Sequence, residues 1–569
     1  MAKGGDQGAL FEGALRLPGL AGVALIAAAA ALAGSACGPV KVRPPDPAVH
    51  VFLLAGQSNM VGADARAERI DTFPPFLGAG EPQEDVLYRY SIGTIESNGW
   101  EALRPVRGGE FGPELTFARK IKPVLRGRIA LVKCAVGGTT LAVQWNPDTG
   151  PLYAKAIGLT RSALADLRAR NPRVVLEGVL WHQGENDMLS AEFRPRYEER
   201  LVRFISRVRE DLGEPGLKFY IGEISDKGIW GLDNRANMIA LREQQLRVVA
   251  RVPGTRWVPT RHLSFEVMGS GQPHFHFGTL GQLQMGEAFA EAVLRDAAPA
   301  SVPRPAALKA KIDVPKGEAL KIFILAGQRD MEGEESFLAE LAGRPECRGL
   351  LAPRPGVLFR YSLGGGERVA PAWQALAPVP EYLGYFGPEL SFGEALARAG
   401  QGPAAILKIT DGCGAMPDWD AGLDGYRGLY RKSLAFIRAS VADLEKAGIR
   451  YRFEGVFWLQ GEYDAYFKKY RPEYRRRLEA LIAGLRRDLA APSLVWHICE
   501  LSPRSPWGAE AVAFLNGEIR AAAAADPGVR AVSTADLPHS RRIHFGADGT
   551  LALGRRMAEE YLAGADPKK

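Results

Sequence analysis

The strongest constraint on this chain is that most of it is written twice. Val51-Phe-Leu-Leu-Ala-Gly-Gln-Ser-Asn-Met60 is matched by Ile322-Phe-Ile-Leu-Ala-Gly-Gln-Arg-Asp-Met331. Phe111-Gly-Pro-Glu-Leu115 recurs as Phe386-Gly-Pro-Glu-Leu390, and Gly178-Val-Leu-Trp-His-Gln-Gly-Glu185 as Gly455-Val-Phe-Trp-Leu-Gln-Gly-Glu462. His276-Phe277, followed by Gly281 and Gly286, recurs as His544-Phe545 followed by Gly549 and Gly554. Measured from Ser58 to Arg329, Phe111 to Phe386, Trp181 to Trp458 and His276 to His544, the separations are 271, 275, 277 and 268 residues. Four landmarks in one order at nearly constant spacing define a duplication. The copies are too long for solenoid repeats, so they read as tandem domains over 48–297 and 319–565. The Pro/Ala-rich stretch from Ala298, within 298–318, is an extended, semi-rigid linker.

Within each copy, apolar runs alternate with helical patterns. In the first, strands are expected at Val51–Ala55, Arg128–Ala135, Val174–Trp181 and Leu217–Ile224. Helices are expected at Leu152–Arg170, Phe193–Leu212, Ala236–Ala250 and Gly278–Ala297. Strands alternating with helices predict a parallel sheet covered on both faces, with functional residues at the carboxyl ends of the strands. The net charge of +7 comes from interspersed Lys, Arg, Asp and Glu, without a basic run carrying aromatics, so nucleic-acid binding is not indicated. The five cysteines are too widely spaced for a zinc site and too sparse for a disulfide scaffold. Neither a Walker A nor a dinucleotide glycine motif is present.

Residues 1–37 read as a targeting segment. Leu17 to Cys37 carries no charge, is rich in Ala, Leu and Gly, and follows Lys3 and Arg16. A cleavage site near Gly34-Ser-Ala36 would leave Cys37 at the new terminus, as in bacterial lipoprotein signals. Gly34 stands where such signals usually carry Leu. An uncleaved anchor is the other reading, since about 20 apolar residues span a bilayer. On both readings the protein acts outside the cytoplasm and meets membrane only through this terminus. Residues 38–47, with Pro39, Pro44, Pro45 and Pro47, form a short spacer.

The candidate chemistry sits at strand ends. Gly56 lets the chain turn where the first strand stops, so Ser58 lies at a strand end and a helix entrance. Attack by a serine on a carbonyl needs a base, an orienting acid and oxyanion donors. Ser58 is the nucleophile candidate. Gly138 offers a bare backbone N–H, with Gly137 as the alternative, and Gln183 offers a side-chain amide. Glu185 supplies a carboxylate at the same strand end, and His276, just before the last helix, is the base candidate. His274 is a rival base, and Glu266 and Glu114 are rival acids. Glu114 also reads as structural, because its motif persists in both copies.

Gly56-Gln-Ser-Asn-Met60, Gly137-Gly-Thr139, Trp181-His-Gln-Gly-Glu185 and His276 with Gly281 resemble the sialate O-acetylesterase and acetylxylan esterase family of the SGNH hydrolase superfamily. The resemblance covers about 48–297 and, more weakly, 319–565. It implies a three-layer α/β/α sandwich around a parallel, flavodoxin-like sheet, an acetylated carbohydrate as substrate, and neither metal nor cofactor. It assigns Ser58 as nucleophile, which also lends a backbone donor to the oxyanion hole, His276 as base, and Gly138 with Gln183 as the other oxyanion donors. Many members carry Asp three residues before the histidine; here that position is Pro273, which cannot ionise. Some relatives use the Glu of the His-Gln-Gly-Glu piece, which makes Glu185 the expected acid. A general carboxylesterase of the same fold, and a non-catalytic glycan-binding protein, are the competing readings.

The second copy departs at its site. Ser58 becomes Arg329, Asn59 becomes Asp330, His182 becomes Leu459, and Gly137-Gly138 aligns with Gly412-Cys413. Arg carries no nucleophilic oxygen and stays charged. Cys413 is the one substitute nucleophile, and it would need a positioned base and a lowered pKa. The expectation is a non-catalytic domain that binds glycan, caps the active site or stabilises the first copy, with Arg329 and Asp330 pairing with each other in preference to holding an anion or a sugar.

Overall fold

The computed structural model describes residues 48–106, 108–225, 233–265, 276–298, 314–315, 317–379, 382–422, 427–540 and 543–564. The expected export signal over 1–37, the spacer 38–47, most of the linker 298–318, and Glu266, Pro273 and His274 lie outside the described residues. Among the described residues no helix is long and apolar enough to cross a membrane.

The first copy is built on β1 (Ala48–Gly56), β2 (Gln83–Ile92), β3 (Gly127–Ala135), β4 (Val174–His182), β5 (Lys218–Gly222) and β6 (Thr255–Val258). They pair in the order β2-β3-β1-β4-β5-β6, every pair parallel. Two short antiparallel strands, Ile95–Glu96 and Glu101–Leu103, extend the β2 edge. Without β2, this is the 2-1-3-4-5 order of a doubly wound sheet, in which the strand order reverses at β1. The second copy repeats the order with β7 (Leu320–Gly327), β8 (Arg354–Leu363), β9 (Ala404–Thr410), β10 (Tyr451–Leu459), β11 (Val495–Cys499) and β12 (Val529–Val532). The chain is thus two tandem α/β/α sandwiches, as expected.

The period of two along β1 sets the layers. Phe52 and Leu54 face α1 (Glu114–Ile121) and α2 (Gly278–Ala297), through Leu115, Phe117, Leu280 and Phe289. Val49, Val51, Leu53 and Ala55 face the other way, toward α3 (Pro151–Arg170), α4 (Tyr197–Leu212) and α5 (Arg235–Arg251). Burial on both faces explains why β1 reads as a continuous apolar run.

Two differences from the sequence reading have simple causes. Phe193–Leu212 was expected as one helix, but a 3-10 turn occupies Arg194–Arg196 and the α-helix starts at Tyr197. Pro195 lacks the N–H that a helix interior needs. Strand β2 lacks a continuous apolar run because Glu84, Asp85 and Arg89 interrupt its apolar residues; Val86 and Tyr88 nonetheless point inward and are fully buried.

The Phe-Gly-Pro-Glu-Leu motif is structural in both copies. Glu114 accepts from Gly112 N at 2.9 Å and from Lys133 Nζ at 2.7 Å, and Lys133 also donates to Val61 O. Glu389 and Lys408 repeat this with Gly387 N and Glu332 O. A buried ion pair whose leftover donors and acceptors are bonded in this way ties the turn after β1 to β3.

Candidate active site

Register brings the site's turns together. Gly56 pairs with Ala135 on β3 and with His182 on β4, so three strands end level. Their continuations, Gln57-Ser58, Val136 to Thr139 and Gln183 to Glu185, share one sheet edge at the order reversal. Gly56 takes φ +154°, and a Cβ there would stand 2.1 Å from His182 O, so only glycine lets β1 turn this tightly against β4.

Ser58 opens a four-residue helix, Ser58–Val61, and its N–H has no acceptor within such a turn. Its Oγ is buried and makes no hydrogen bond among the described residues. Its neighbour Asn59 is the hinge of the site. Asn59 Oδ1 accepts from Phe277 N at 3.3 Å, and Asn59 O accepts from Gln282 Nε2 at 2.8 Å. The residue after Ser58 is therefore bonded to the residue after His276, which brings the two candidates to one place.

The acid beside the histidine was not foreseen. Asp64 Oδ2 accepts from His276 Nδ1 at 2.7 Å. Glu185 Oε1 instead accepts from Asn59 Nδ2 at 2.6 Å and stands 3.6 Å from His182 Nδ1. Burial holds His182 below the usual histidine range, against the raising effect of Glu185, so its ring stays neutral near pH 7. The structure thus gives Glu185 a place next to Asn59, the neighbour of Ser58, and gives the His276 ring to Asp64. Asp64 has a left-handed backbone, φ +66°, which Asp tolerates better than most residues. Its counterpart Glu335 is also left-handed and acidic, a pattern six residues beyond the Ser58 position in each copy that could have flagged it.

The oxyanion candidates separate. A Cβ on Gly137 would lie 3.4 Å from Ser58 Cβ, so Gly137 packs directly on the serine. Gly138, with φ +74°, would place a Cβ in open space. Gln183 is different: its Nε2 reaches Asp187 Oδ2 at 2.6 Å, Thr139 O at 3.1 Å and Gln57 Oε1 at 3.2 Å. Two amide hydrogens facing three internal acceptors leave none for a substrate oxygen. In the second copy Gln460 makes the same 2.6 Å bond to Asp464, so this pair maintains the turn whether Ser58 or Arg329 stands beside it.

The second copy fills the equivalent space with charge. Arg329, 1% exposed, donates from Nε to Gly412 O at 2.7 Å, pairs with Glu334, and reaches Cys413 Sγ at 3.6 Å. Asp330 lies 3.1 Å from His544 Nδ1, with Glu462 3.8 Å away. The expected Arg329–Asp330 pair is therefore replaced by two others, because Glu334, which stands where the first copy has Ala63, claims the guanidinium. Burial disfavours a charged His544, but Asp330, Glu462 and Glu334 outweigh it and push the ring up to about 10. Burial and the Asp330 charge drive Glu462 well above the carboxylate range. Asp330, Glu462 and His544 each offer one ligand atom within 4.8 Å of one another, yet the histidinium already balances the Asp330 charge.

These features place the chain among the carboxylic ester hydrolases. It belongs to the family described as carbohydrate esterase, sialic acid-specific acetylesterase, whose profile matches residues 48–295 and again 319–563. A probable carbohydrate esterase of Arabidopsis thaliana is 27% identical over 269 residues, covering 45% of this chain and 94% of that protein. A probable 9-O-acetyl-N-acetylneuraminic acid deacetylase of Escherichia coli is 29% identical over 120 residues, 17% of this chain and 35% of that protein. Among solved structures, a carbohydrate acetylesterase from Xanthomonas citri is 19% identical, covers 44% of this chain and 57% of its own, and superposes with a TM-score of 0.33.

Proposed function

We propose that the first copy removes acetyl groups from an acetylated carbohydrate outside the cytoplasm, with Ser58 as nucleophile and His276 as base. The observation that carries this reading is the Asn59 bridge to Phe277 together with the Asp64–His276 bond. An Nδ1–H held by Asp64 leaves Nε2 as the basic nitrogen. Ser58 Oγ attacks the acetyl carbonyl while Nε2 takes its proton. The N–H groups of Ser58 and Gly138 receive the oxyanion, and the imidazolium returns the proton to the departing sugar oxygen. Water, activated by the same nitrogen, then releases acetate from Ser58. Asp64 takes the orienting role that the sequence assigned to Glu185, and Glu185 keeps Asn59 in place. The uncharged Leu17–Cys37 stretch supports export, with Cys37 as the residue a lipid would modify. The second copy is read as non-catalytic, since Arg329 and Cys413 occupy the nucleophile and oxyanion positions.

The test is acetate release from a panel of acetylated glycans and simple alkyl acetates by residues 38–569, wild type and Ser58→Ala. Release from glycans that falls by more than about a thousandfold in the variant is expected for a lost nucleophile. Retention of a tenth or more of the rate in Ser58→Ala removes the serine mechanism. Activity confined to alkyl acetates removes the carbohydrate substrate.

A further inference from the structure

The altered site of the second copy receives a side chain from the first. Phe265 follows β6 in the first copy, yet it is 4% exposed and packs within the apolar core of the second. Its ring lies 4.4 Å from Arg329 Cζ, a cation–π contact at the position where the first copy has its serine. The exchange is mutual: Phe337 and Tyr385 of the second copy belong to the apolar core of the first, with Phe337 edge-on to Phe73. The residues leading to Phe265 are docked as well. Arg261 donates to Gly364 O at 3.2 Å, and His262 stacks on Tyr382.

Tyr385 is the link to the catalytic histidine. Its hydroxyl lies 2.8 Å from Ser264 Oγ and accepts from Gln284 Nε2 at 2.5 Å, while Gln284 Oε1 accepts from Ser264 N at 2.9 Å. Gln284 is on α2, the helix that directly follows His276-Phe277. Ser264 O abuts the same helix, since a Cβ on Gly281 would come within 2.2 Å of it. In the second copy the matching turn is present, Leu537 N bonding Thr534 O as Leu263 N bonds Thr260 O. There, however, only 7 positions separate Leu537 from His544, against 13 between Leu263 and His276. The active copy alone has the longer segment, and its start is the part seated on the partner domain.

We propose that the second copy's altered site is a socket for Phe265, and that Phe265, Arg329 and Tyr385 are positioning residues for His276. The proposal rests on the reading of His276 as the base. The helix that follows the histidine is then tied to the other domain through Gln284 and Tyr385, and Ser264, next to Phe265, abuts that helix. Placement errors of about 1 Å at a catalytic group lower rates by up to about a hundredfold.

The experiment uses residues 38–569 with Phe265→Ala, Tyr385→Phe and Phe265→Tyr. Each is assayed on 4-nitrophenyl acetate, with rates normalised to serine titratable by a fluorophosphonate. The expected result is a kcat at least about tenfold lower for Phe265→Ala and severalfold lower for Tyr385→Phe, with KM within about twofold and Phe265→Tyr near wild type. If Phe265→Ala does not fold, Tyr385→Phe decides the matter. A kcat per titratable serine unchanged in the folded variants, or a loss that vanishes on normalisation, overturns the proposal. Should the wild type show no Ser58-dependent hydrolysis, the proposed function has failed, and the socket is read by hydrogen exchange across residues 276–285. Faster exchange there in Phe265→Ala or Tyr385→Phe supports the socket, and unchanged exchange overturns it.

Discussion

Replacing the two candidate acids one at a time separates their roles. In Asp64→Asn the side chain keeps its shape but cannot neutralise an imidazolium. Asp64 Oδ2 and His276 Nδ1 are 2.7 Å apart. At an effective dielectric of ~20, unit charges at that distance attract by about 6 kcal/mol. Asp64 is 27% exposed in its side chain, and solvent trims this toward about 4 kcal/mol. At 1.36 kcal/mol per decade, the expected loss in kcat is about a thousandfold. Loss of the correct tautomer acts in the same direction. Glu185→Gln is expected to cost far less, about tenfold, because the amide oxygen can still accept from Asn59 and the neutral His182 loses no ion pair. The assay is kcat and KM on 4-nitrophenyl acetate at pH 7.5, with folding checked by circular dichroism. If Asp64→Asn stays within tenfold of wild type while Glu185→Gln loses a thousandfold, Glu185 is the orienting acid and the geometric argument fails.

Three further outcomes follow from the same geometry. Lys133→Met leaves Glu114 charged and buried, which costs about 3–5 kcal/mol in urea melts, whereas Lys133→Met with Glu114→Leu costs less; a single-variant cost under about 1 kcal/mol refutes the structural role. His544 is raised in the folded state, so its contribution to stability is fully present below about 6.5 and is lost as pH rises toward about 10. The stability advantage of wild type over His544→Gln should shrink across that window, and a constant difference contradicts the charged ring. Finally, Arg329→Ser placed in a Ser58→Ala background should restore no ester hydrolysis, because Cys413 and Asp330 still replace Gly138 and Asn59; any return of turnover shows that one residue alone silences the second copy.

The sequence by itself determined the duplication, the parallel α/β architecture and the turns that carry the candidate site. These follow from local properties: a continuous apolar run in β1, helical spacing in α2 and α3, and a glycine where the first strand stops. Residues near one another in sequence carry that information, and it appears twice. Tertiary structure alone decided the partners. Asp64 and His276 are 212 positions apart and meet only because the strand order puts the turn after β1 next to the start of α2. Gln183 read as a free donor until the fold set three acceptors around its nitrogen. Arg329 read as a partner for Asp330 until Glu334 came closer. Phe265 carried no signal at all, since an aromatic residue in a loop is compatible with many burial sites. Its place against Arg329 depends on how two complete domains pack, and a pattern confined to neighbouring residues cannot encode which distant surface will cover a side chain.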